Sequence, residues 1–194
     1  ITIQNGWMLA HEKCGLTILG LLIFRLIWGV IGYPTARFVQ FVKGPRAIVA
    51  YIKQLIGNGK IHSFGHNPLG ALSVIALLSV ILFQALSGTL STDDIFYDGP
   101  LYPVFPAFTK FAGSLHQLLP PFILSLIGLH LVAIITHRIF FKEKLTSQMI
   151  TGQMITGKTH SEEIIKAQNK AAPLIGLALL ATCISASWSL TLLN

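Results

Sequence analysis

The chain has 194 residues, 53% of them hydrophobic and only 11% charged, with a formal net charge of +7. A soluble globular domain carries about 25% charged residues, so the composition excludes an ordinary water-soluble fold. The positive balance reads as a membrane-topology signal that also suits anionic lipid headgroups, and nucleic acid is not needed to explain it.

Taken in chain order, the first apolar stretch runs from Cys14 to Ala36 with Arg25 as its only charge, and no Lys, Arg, Asp or Glu occurs in 61–92, 111–137 or 171–194. Each run holds about 20 apolar residues, enough for a helix to cross ~30 Å of hydrocarbon. The expected architecture is all-α, a polytopic transmembrane helical bundle with spans at roughly 12–32, 68–90, 114–140 and 173–193. The second span opens with Asn67 as a candidate cap and Pro68 suited to a first helical turn. Pro120 and Pro121 are expected at the first-turn boundary of the third span, where they threaten a kink at His116.

Loop charge orients the spans. Residues 33–67 hold Arg37, Lys43, Arg46, Lys53 and Lys60 with no acid, and residues 138–171 hold six basic and three acidic side chains. Residues 91–115 hold Asp93, Asp94 and Asp98 against Lys110. Basic short loops stay cytoplasmic, so loops 33–67 and 138–171 are expected on the cytoplasmic face and 91–115 on the periplasmic or equivalent face. Ile1 then begins outside, immediately before a span, and an additional preceding span would account for it. Residues 45–56 have apolar side chains at helical spacing and are expected along the membrane interface. The tandem QMITG in 148–157 is too short for a structural repeat.

The chemistry lies in the histidines. His116, His130 and His137 share the third span, fourteen and then seven residues apart. A helix turns about 100° and rises ~1.5 Å per residue, so His116 and His130 share a face about 21 Å apart along the axis. Intramembrane ionisable groups are functional candidates, and three readings stand. Each imidazole could bond a neighbouring helix and do nothing more. A proton path would recruit Asp or Glu deep within the spans, and none is there. Axial ligation of haem uses imidazoles at this separation, one macrocycle near each membrane face. Spacing favours haem without deciding it.

His11 opens the first span at the depth of His116, so the two could clamp one haem. Fourteen residues on, Arg25 reaches the depth of His130, where a haem propionate would be a bidentate partner; a bond to backbone carbonyls is the alternative. His62 and His66 lie at the inner edge, where His66 could pair with His137 or bond a propionate. Cys14 and Cys183 are expected to be buried, and no CxxCH indicates covalent haem. Gly29, Gly32, Gly65, Gly70 and Gly88 suit close approach of a helix or porphyrin.

The stretches "HEKCGLTILGLLIFRLIWGVIG", "ARFVQFVKGPRAIVAYI", "GHNPLGALSVIALLSVILFQALSGTL", "LHQLL" and "GLHLVAIITH" resemble, in order, the bacterial cytochrome b561 family, which includes the b-type cytochrome subunit of nickel-iron hydrogenases. The likeness runs from about Ala10 to Lys158. It implies a helical bundle holding two b-haems between paired histidines, with His11 and His116 on the outer haem and His130 as one ligand of the inner. The other inner ligand comes, in the family, from a helix with a "FHW"-like motif that this sequence lacks. Residues 1–170 are then the cytochrome domain and 171–194 an additional C-terminal transmembrane helix. The resemblance also implies an electron-transfer subunit of a larger complex, holding one or two haems b. It would work between a periplasmic redox partner, a hydrogenase small subunit or c-type cytochrome, and quinone. A non-redox anchor or assembly subunit, or a stand-alone quinol oxidase, are the alternatives.

Overall fold

A computed structural model of the chain describes residues 7–33, 36–57, 68–93, 97–140 and 172–193. Six helices carry these segments: α1 Met8–Ile31, α2 Phe38–Phe41, α3 Pro45–Gly57, α4 Pro68–Leu90, α5 Thr109–Phe140 and α6 Ala172–Trp188, the last continued by a 3-10 turn at Ser189–Leu193. Four of these segments, Met8–Ile31, Pro68–Leu90, Pro106–Ile139 and Pro173–Leu193, are long and apolar enough to cross a bilayer. The molecule is a helical membrane bundle. Pro68 begins α4 as expected, whereas Asn67, His62, His66, Gly65 and the QMITG duplication lie outside the described residues.

Helix α5 departs from the sequence expectation. It starts at Thr109, five residues before the expected boundary, so Pro120 and Pro121 fall inside the helix and His116 lies two turns into it. The physical reason is that Lys110 marks the edge of the hydrocarbon and not the end of the helix, which continues into the interface as far as the turn Pro106–Phe108.

Helix α4 packs against both α1 and α5, and α6 packs on the other side of α1, whereas α1 and α5 make little direct contact. A gap between α1 and α5 results. Lipid gives helices no hydrophobic drive to associate, so close packing and small residues must do it. The antiparallel seam of α1 with α6 follows that rule. A methyl added at Gly20 would stand 2.7 Å from Ser187 Oγ and 2.8 Å from the Ile184 Cα. Further along the seam the Trp28 ring rests on Gly176, and Trp188 Nε1 donates to Thr17 Oγ1 at 3.0 Å. Leu124, Leu129 and Val132 of α5 are well exposed, as suits lipid contact.

Helix α3 buries Tyr51 and leaves Val49, Ile52 and Ile56 exposed, the stripe expected of an interfacial helix. The Phe38 ring of α2 seats directly on Gly29. Cys183 is buried as expected, but Cys14 is exposed, because its side of α1 faces the α1–α5 gap and not the α6 seam.

Candidate functional site

The α1–α5 gap opens into a cavity of about 450 Å³ lined by His11, Leu16, Ile81, Gln84, Gly88 and His116 among others. The connection after α4 roofs it. Its amides take the carbonyls that the end of α4 leaves without helical partners: Leu101 N–H donates to Thr89 O and Gly99 N–H to Ser91 O, each at 2.8 Å. Pro100 is fully buried beneath. Tyr97 also lines the roof, and burial, then the nearby Glu12 carboxylate, push its phenol up to about 12. The roof hydroxyl therefore stays neutral at physiological pH.

His11, in the first turn of α1, and His116 face each other with ring centroids 5.9 Å apart and planes at 87°. The structure thus brings together the two imidazoles that depth along the spans had paired. A metal–imidazole bond is ~2.0–2.1 Å and the ring centroid lies about 1 Å behind its nitrogen, so one ion between two imidazoles sets the centroids ~6 Å apart. The observed separation fits. No cluster of three or more His, Cys, Asp or Glu side chains is assembled for a metal among the described residues, so two imidazoles would suit an iron that arrives with its own ring of nitrogen donors.

One turn of α4 seats His116. Its Nδ1 lies 2.9 Å from the Gln84 backbone carbonyl. A carbonyl only accepts, so the neutral ring carries its proton on Nδ1 and its lone pair on Nε2. That is the second-sphere arrangement that orients an imidazole for a metal. Ser87 Oγ stands 3.2 Å from the same nitrogen and donates to Gln84 O at 3.0 Å. Gly88 completes the cradle, since a methyl there would be 2.8 Å from His116 Cε1. The Gln84 side chain lies across the ring and backbone, donating from Nε2 to His116 O at 3.1 Å.

The remaining candidates are dispersed. His130 is half-buried, with Ser73 Oγ 2.8 Å from its Nδ1. Arg25 donates from Nη1 to Ala36 O at 3.1 Å and stacks on Phe38 at 4.7 Å, the backbone-bonded arrangement weighed above against a propionate. His137 sits in the last turn of α5, and His66 lies outside the described residues. Sequence reasoning passed over Gln84, Ser87 and Ser73. The available signal was a glutamine with Ser87 and Gly88 three and four residues on, one polar face in an otherwise apolar span.

A family model described as prokaryotic cytochrome b561 matches residues 2–152, well over half of the chain and everything that builds this cavity. No curated protein and no solved structure matches.

Proposed function

The chain belongs to the prokaryotic cytochrome b561 family, whose members are membrane b-type cytochromes of electron transfer, and from that premise we propose that it relays electrons between a periplasmic redox protein and the quinone pool through haems each gripped by two imidazoles. The partner fitting this role is a hydrogenase small subunit or a c-type cytochrome. The observation that carries the reading is the facing pair His11 and His116 at 5.9 Å.

Haem b bound there supplies a one-electron ferric–ferrous couple. Everything else falls to the chain. His11 and His116 would be the residues that hold the group, each through one ring nitrogen. The Gln84 carbonyl keeps the His116 proton on Nδ1, which raises the basicity of the opposite nitrogen. Apolar side chains of α1 and α4, Leu16, Ile18 and Ile81 among them, line much of the gap, and the polarity around a haem would set its potential together with its ligands.

His130 is one ligand of a second haem, its ring held by Ser73. Its partner imidazole would come from outside the described residues, and His137, in the last turn of α5, lies toward that end. Arg25, which gives one N–H to Ala36 O, would counter a propionate charge there with its remaining donors. The acidic connection bearing Asp93 and Asp98 is the periplasmic side and the basic loops are the cytoplasmic side, where quinone exchanges electrons.

The test is a pyridine-haemochrome count on the detergent-purified chain. A reduced b-type spectrum is expected, with one haem per chain lost in His11→Ala and in His116→Ala and that same haem retained in His130→Ala. Unchanged haem content in both of the first two variants would remove the pair and the reading with it.

A further inference from the structure

We propose that Gln84 is the positioning residue for His116, and that it holds this role because Pro120 lies four residues beyond the histidine. In an α-helix the carbonyl of residue 116 accepts from the N–H of residue 120, and proline has none. The His116 carbonyl is thereby released in mid-helix, in an apolar stretch where an unpaired backbone acceptor is costly. Gln84 supplies the missing donor from the neighbouring helix, its Nε2 donating to that oxygen at 3.1 Å.

The orientation of the amide supports this assignment independently. Gln84 Oε1 is buried and has no hydrogen-bond partner. The side chain keeps this position with its own acceptor orphaned, its Nε2 set on the His116 backbone oxygen at 3.1 Å. Its main-chain carbonyl meanwhile receives Nδ1–H at 2.9 Å. One residue of α4 therefore fixes both parts of the histidine. The side-chain bond places the α5 backbone, and the main-chain bond sets the rotation of the ring. The proline does not merely interrupt α5; it exposes the handle by which α4 grips it.

The consequence for haem rests on the electron-carrier reading, whereas the bond itself does not, and a double-mutant cycle separates the two. Gln84→Met keeps the length of the side chain and removes the donor. Pro120→Ala restores the intrahelical donor and makes Gln84 redundant. In the full-length chain, Gln84→Met is expected to speed haem loss to an excess haem acceptor roughly tenfold, the order that one buried acceptor left unpaired imposes. With Pro120→Ala already present, the same change should alter the rate by less than about twofold. The midpoint potential of the His11–His116 haem should shift in Gln84→Met and return in the double variant, a pattern a general loss of packing would not give. Equal effects in both backgrounds overturn the proposal. If the wild-type chain holds no haem, the electron-carrier reading fails, and the cycle is read in thermal unfolding of the haem-free protein. A lowered midpoint only while Pro120 is present then upholds the bond, and an equal drop in both backgrounds refutes it.

Discussion

His116 and His130 stand fourteen residues apart on one helix, and α4 meets them differently. At residue 116 it offers a carbonyl to Nδ1, an amide to the backbone, and a glycine beneath the ring, with a roofed cavity alongside. At residue 130 it offers one serine hydroxyl. Counting along the helix makes the two histidines equivalent; the neighbouring helix makes them different. A ligand position is thus built as much by the residues that remove freedom from an imidazole as by the imidazole itself.

The difference is most sharply tested with one substitution made twice. Gly88→Ala places a methyl 2.8 Å from His116 Cε1 and is expected to displace the ring and abolish retention of its haem. Gly128→Ala, two residues before His130, meets nothing within 4 Å, so haem content should stay at the wild-type level while helix propensity gains up to about 1 kcal/mol. Similar haem contents in the two variants, by pyridine haemochrome, would erase the contrast. A smaller effect is expected from Ser73→Ala, which removes the hydroxyl beside His130 Nδ1 and should cost about 1 kcal/mol in denaturant unfolding without altering the haem at His116. Loss of that haem as well would show the two ends to be coupled. Smallest is Arg25→Leu. Removing a cation near a haem disfavours the ferrous form, so the potential of the His130-side haem should fall, by no more than about 60 mV, the one-electron equivalent of a tenfold change. Redox titration with no shift, or a shift upward, breaks the proposed link between Arg25 and a propionate.

The four spans were legible because uncharged runs of that length have one physical use, and His11 and His116 could be paired by depth because α1 and α5 rise regularly through the membrane. The start of α5 was not legible. Lys110 reads as loop when charge is taken for an end of helix, yet a helix can carry a lysine into the interface. That single misplacement hid the most informative contact in the site. With Pro120 at a first turn its missing N–H would cost nothing, and only with Pro120 in the interior does a carbonyl at 116 stand in need of Gln84. The exposure of Cys14 escaped for a related reason, since composition says that a helix is apolar but not which of its faces looks into a gap.

The seam between α1 and α6 sets a timetable. Chains emerge from the ribosome N-terminal end first, so the helix bearing His11 enters the bilayer long before the one that grips Gly20 and Trp28 has been made. Until synthesis reaches that segment, the face of α1 that carries Gly20 lacks the partner helix it has in the folded chain. The packing of the His11-bearing helix is therefore completed by a stretch of sequence translated after everything that lines the cavity.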